Sequence, residues 1–218
     1  SIALLAKKMG KHTDYEYFSK RAENYKLYYD DQVGFFRGKM ADGTWNPVFD
    51  PIKSKHPWAT DYAEGNPWQY LWLVPQDVEG LIDLIGGKDI FEDRLNQFFA
   101  LVNDDKDEDV LIDLTGSIGQ YAHGNEPSLV RYIMKEFYKD DQDGIIGNED
   151  CGQMSSWYVL SSLGFYPVFT ASGQYVLGSP LFDKATINLE NGNVFTVEAV
   201  NNSPENIYIQ SAELNGVK

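Results

Sequence analysis

Three features predict an α+β chain: helix-period patterning up to about residue 165, short alternating apolar runs after it, and Gly, Asn and Pro between those runs. Helices come first and an antiparallel sheet second. That order excludes a doubly wound parallel sheet and suggests a helical barrel or bundle joined to a β-sandwich. The expected division sets a helical part, 1–165, against a β-strand region, 166–218.

Taken in order, Ile2, Leu5 and Ala6 give the first helix an apolar face, over 1–9, and Gly10-Lys11 closes it. A second helix over 14–29 carries Tyr17, Phe18, Ala22 and Tyr25. The stretch 34–57 is too rich in Gly, Pro and Trp for a regular element and reads as a long loop, a kind that is often functional in compact domains. Helices are predicted at about 67–74, 77–86, 88–102, 128–139 and 151–163. After Gly164-Phe-Tyr-Pro167 the grammar becomes strand and turn, in the runs 175–177, 184–189, 194–200 and 207–212.

Composition narrows the function. The formal net charge of −15 argues against nucleic acid, whose phosphates need a basic surface. It fits a neutral ligand, with or without a divalent cation. The lone Cys151 excludes an intrachain disulfide framework and, with no basic partner nearby in sequence, reads as a small hydrophobe. No apolar run is long enough for membrane insertion. The chain opens inside a helix and reads as a piece of something longer.

Three polar clusters carry the chemistry. In Asp61-Tyr-Ala-Glu-Gly-Asn-Pro-Trp-Gln-Tyr70, one carboxyl, Glu64, sits among three aromatic rings and two amides. Sugars are bound by that mix, with rings such as Trp68 on apolar C–H faces and amides on hydroxyls. Aromatic walls also desolvate a carboxyl and raise its pKa toward general-acid duty. The alternative is a carboxylate bonding backbone amides at the helix start near Pro67.

The second cluster, Gly119-Gln-Tyr-Ala-His-Gly-Asn-Glu-Pro127, holds the oxygen donors Gln120, Asn125 and Glu126 ahead of a helix. Hard cations such as calcium take that set. Loop closure with a helix cap is equally compatible. His123 stands alone, against zinc, and suits a bond to a substrate hydroxyl or a backbone carbonyl.

The third cluster, Asp140-Asp-Gln-Asp-Gly-Ile-Ile-Gly-Asn-Glu-Asp150, is not an EF-hand. With Gly144 at loop position 6, the first ligand position falls on Lys139 and the last on Asp150, not Glu. Asp150 precedes an apolar helix, where it can serve as N-cap or point into a cleft.

The segments GFFRGKMADGTWNPVFDP, DYAEGNPWQY, IGQYAHGNEPS and GIIGNEDCGQMSSWYVLSSLGFYPV resemble the C-terminal half of glycoside hydrolase family 92, the bacterial exo-acting α-mannosidases. YVLGSPLFDKATINLENGNVF and NIYIQSAELNG extend the resemblance to essentially the whole chain. It implies an N-terminal β-sandwich outside this chain, then an (α/α)6 barrel and closing β-strands, in a secreted or periplasmic enzyme.

The implied reaction is calcium-dependent hydrolysis of terminal α-linked mannose with inversion. Glu64 matches the general acid, Asp150 the general base, and Gln120, Asn125 and Glu126 the calcium segment. Inversion needs two carboxyls roughly 6.5–9.5 Å apart, to admit a water.

Three departures stand out. Ser128 runs straight into Leu129, where the family has a longer helical stretch. Gly116-Ser117 replaces the His-Glu of α-1,2-specific members. Asn148 stands where some members have a second acid. The 218-residue chain alone is expected to have little activity, because part of the mannose pocket lies outside it. The rival readings are another (α/α)6 glycosidase, such as a glucosidase, and a glycan-binding protein without catalysis.

Overall fold

The computed structural model describes residues 1–52, 61–62, 65–101, 118–121 and 127–218. The chain forms two compact units, Ser1–Ala122 and His123–Lys218. This division falls earlier than the change of sequence character near residue 165, because the last helix packs directly against the strand that follows it.

In the first unit, α1 (Ile2–Lys8) and α2 (His12–Ala22) pack on each other, and a 3-10 turn (Asn24–Tyr28) leads into β1 (Tyr29–Asp30). The predicted second helix therefore stops early. β1 pairs antiparallel with β2 (Phe35–Phe36), so a short hairpin joins the end of the predicted helix to the start of the long loop. Then come α3 (Pro67–Tyr70), α4 (Val78–Ile85) and α5 (Lys88–Ala100). Asp77 caps α4 by accepting from Gly80 N at 3.1 Å.

The core comprises Phe35, Trp68, Leu71, Val74, Leu81, Ile85 and Phe98. Leu71 is fully buried, a gain of about 2 kcal/mol for a side chain of that size. The rings meet edge to face: Phe35 on Trp68 at 5.0 Å, Trp72 on Phe91 at 5.2 Å. Beside them lies a buried ion pair, Arg37 Nη1 to Asp30 Oδ2 at 2.5 Å. The same guanidinium donates to Asn46 O and lies over the Phe49 ring.

The second unit contains α6 (Pro127–Glu136), α7 (Gln153–Ser162), β3 (Phe165–Tyr166), a 3-10 turn (Thr170–Ser172), β4 (Val176–Leu177), β5 (Lys184–Asn188) and β6 (Val194–Glu198). β3 pairs with β4, and β5 with β6 in register Lys184↔Glu198 to Asn188↔Val194, all antiparallel. Arg131 on α6 donates to Pro180 O, Ser203 O and Asn202 Oδ1, tying the helix to the C-terminal segment. The alternating run 207–212 forms no strand; a bridge pairs Leu214 with Val217 instead. Alternation alone cannot make a strand without a neighbouring edge to take its ladder.

Candidate active site

The first cluster is anchored on both sides of Glu64, which itself lies outside the described residues. On the N-terminal side, Asp61 accepts from Asn46 Nδ2 at 2.7 Å and from Gly38 N at 3.0 Å. Tyr62 is buried, donates its hydroxyl to the Phe36 carbonyl, and meets Tyr70 edge-on at 5.0 Å. Burial, then the charge of Asp61, holds its phenol well above the ordinary range.

On the C-terminal side, Gly65 turns the chain at φ +88°, where a Cβ would lie 2.2 Å from Gln69 Oε1. Asn66 then starts α3 with a capping box: its side chain accepts from Gln69 N, while Gln69 Oε1 accepts from Asn66 N at 2.9 Å. Pro67 occupies the first helical position, where its missing N–H costs nothing.

Trp68, expected against a sugar ring, is instead a core residue. It is 6% exposed, with Phe35 edge-on, Phe98 stacked at 6.5 Å and the Arg94 guanidinium 5.1 Å from its ring centre. The reason is helical geometry. Once the cap fixes α3 at Pro67, Trp68 shares a face with Leu71, three residues on and fully buried.

Gln120 is 1% exposed and lies against the same segment. Its Oε1 accepts from Asn66 Nδ2 at 2.8 Å, its Nε2 donates to Leu101 O at 3.2 Å, and its backbone carbonyl accepts from Gln69 Nε2 at 3.1 Å. A buried amide so engaged fits a structural bridge and does not fit an open metal position. The other expected calcium donors, Asn125 and Glu126, and His123 with them, lie outside the described residues. Among the described residues no group of three or more His, Cys, Asp or Glu is placed to hold a metal ion.

The second unit carries Asn148 and Asp150, both exposed. Asp150 does not cap α7. Gly152 occupies the cap position, and the carboxylate serving the helix start is that of Glu149, which accepts from Ser155 N at 3.2 Å and Ser155 Oγ at 3.0 Å. Among the described residues no hydrogen bond or ion pair reaches the Asp150 carboxylate. The backbone here is strained: Asp150, Cys151 and Gly152 have φ of +48°, +59° and +91°. Such runs cluster at functional sites. Cys151 is exposed, not the buried hydrophobe its context suggested.

Sequence reasoning placed Asn66 beside Glu64 without seeing its role, although Asn-Pro-Trp-Gln is a capping signature. Glu149 holds the start of α7, a role that spacing alone does not single out. Its signal was a Glu six residues ahead of a Ser in the first turn of the coming helix.

A carboxylate on a strained turn, without a hydrogen bond or ion pair among the described residues, can serve as an acid or a base. Comparison with known proteins gives the family. The model of the glycosyl hydrolase family 92 catalytic domain matches residues 1–130 and 128–218. The two spans overlap over 128–130, where Ser128 runs into Leu129. The chain belongs to this family.

A family 92 α-mannosidase of Bacteroides thetaiotaomicron, BT3965, solved with mannoimidazole, is 37% identical with a TM-score of 0.90, over 99% of this chain and 31% of its own. The family 92 inverting mannosidase BT2199 of the same species is 32% identical with a TM-score of 0.80, over 99% of this chain and 32% of its own. A secreted, uncharacterized glycosidase of Arthroderma benhamiae is 28% identical, over 99% of this chain and 30% of its own. The chain thus spans about a third of the length of these relatives. No helix among the described residues is long and apolar enough to cross a membrane.

Proposed function

We propose that the full-length protein is an exo-acting α-mannosidase that releases terminal α-linked mannose with inversion. The observation that carries this reading is the Asp150 carboxylate, exposed and without a hydrogen bond or ion pair among the described residues, on a left-handed turn in a chain whose solved relatives include an inverting mannosidase. Asp150 is assigned as the general base that takes a proton from the attacking water. Glu64 is assigned as the general acid that protonates the departing glycosidic oxygen. The water adds to the anomeric carbon as the bond to the leaving group breaks, which inverts the centre.

The helical portion is read as part of an (α/α)6 barrel completed, with an N-terminal β-sandwich, by sequence outside this chain. The 218-residue chain alone is therefore expected to turn over poorly. Calcium enters this reading through Asn125 and Glu126, with Gln120 kept as the buried bridge to Asn66. When bound, such an ion polarises substrate hydroxyls. His123 and Asn148 are assigned to substrate hydroxyls, and Trp68 to support from the core beneath the acid's segment. A secreted or periplasmic location follows the secreted relative.

The test is hydrolysis of a panel of α-linked mannobioses and aryl glycosides by the full-length protein, with calcium and with a chelator, followed by NMR of the first-formed anomer. Inverted mannose is expected, with Glu64→Gln and Asp150→Asn each losing about 10²–10⁴-fold in kcat. Selectivity for glucosides, or sugar binding with no turnover, overturns the reading. The mannobiose panel also decides the linkage that Gly116-Ser117 leaves open.

A further inference from the structure

Left-handed backbone costs a residue with a Cβ roughly 1–2 kcal/mol, so two such residues in succession need an external hold. Asp150 and Cys151 are that pair, and Gly152 continues the turn. The hold comes from the residue just before them. Both oxygens of Glu149 are engaged by one residue of the first turn of α7, Ser155 N at 3.2 Å and Ser155 Oγ at 3.0 Å. The backbone closes the same loop, with Met154 N donating to Glu149 O and Gln153 N to Asp150 O, each at 3.3 Å.

Two consequences follow. The first amides of α7 already have acceptors, Ser155 N the Glu149 carboxylate and Gln153 N and Met154 N backbone carbonyls, so the Asp150 carboxylate is not drawn into capping them. Moreover, the strained turn is spanned from Glu149 to Ser155, which restricts the direction in which Asp150 leaves the backbone.

We propose that Glu149 and Ser155 are positioning residues for the reaction, directing as the base an Asp150 carboxylate that has no hydrogen bond or ion pair among the described residues. This rests on the assignment of Asp150 as base. Misplacing a reacting group by about an ångström can cost a hundredfold in rate without weakening substrate binding.

The test uses the full-length protein with rates expressed per folded enzyme. Glu149→Ala is expected to lower kcat by about 10–100-fold while KM stays within about twofold. Glu149→Gln, which can still accept from Ser155 N and can donate to Ser155 Oγ, is expected to recover most of that loss. Ser155→Ala removes one of the two bonds and supplies a milder lesion if Glu149→Ala folds poorly; the same split, at smaller size, is expected. In the Asp150→Asn background, Glu149→Ala is expected to cost nothing further.

Wild-type kcat and KM in Glu149→Ala and Ser155→Ala overturn the proposal, as does an equal loss on the Asp150→Asn background. A wild type that cleaves some other glycoside sinks the mannosidase reading alone, and the same variants are then read on that glycoside. Undiminished activity in Asp150→Asn removes the base assignment and this proposal with it.

Discussion

Replacing Asn66 with alanine removes three hydrogen bonds at one fully buried point. The first is the cap to Gln69 N at 3.1 Å, worth about 1 kcal/mol. The other two are donations from Nδ2, to Ile52 O at 3.1 Å and to Gln120 Oε1 at 2.8 Å. Each costs about 1–1.5 kcal/mol in a site as dry as this. The expected loss is therefore about 3–4 kcal/mol, confined largely to the segment that holds 65–71 against 118–121.

Hydrogen exchange followed by mass spectrometry on the full-length protein reads this locally. Peptides covering α3 should exchange at least about a hundredfold faster in Asn66→Ala, since each 1.4 kcal/mol is about a factor of ten. Asn66→Ser keeps an oxygen for the cap and should recover about 1 kcal/mol. Asn66→Asp keeps the cap but turns two donors into acceptors facing acceptors, and should be no better than alanine. Exchange in Asn66→Ala within threefold of wild type, or a near-neutral Asn66→Asp, refutes the bridge.

Arg37→Met leaves Asp30, 2% exposed, without its guanidinium, and should cost about 3–5 kcal/mol in urea unfolding. Cys151→Val puts a β-branched side chain at φ +59° and should lower the thermal midpoint by the equivalent of about 1–2 kcal/mol, whereas Cys151→Gly should be neutral or stabilising. Burial first, then Glu149, Tyr158 and Tyr166, push the Tyr138 phenol from 10.0 to about 12. The folded state thus holds that proton more tightly than the unfolded state. The resulting stability is complete below pH 10.0 and is lost as pH rises to about 12, a slope that Tyr138→Phe should flatten in alkaline urea titrations.

The helices 78–85, 88–100 and 153–162 were legible because their signals are local: an Asp cap, paired glycines, and apolar residues at helical spacing. The β5–β6 hairpin was legible for the same reason, from alternation on both sides of Asn191-Gly192. The motif order that marks family 92 also needs no coordinates, because it is a property of the chain itself.

Tertiary structure decided what depends on partners distant in sequence. The side on which Trp68 lies depends on Phe35 and Phe98. That Gln120 is a bridge depends on Asn66, fifty-four residues away in the chain. The run 207–212 has no partner edge among the described residues, so its alternation builds no strand. Spacing left both Glu149 and Asp150 within reach of the start of α7, and only the folded turn assigned the cap to Glu149 and left Asp150 open. A sequence states which donors and acceptors a segment carries; which of them are satisfied, and so which remain free for chemistry, is settled only when the chain has packed.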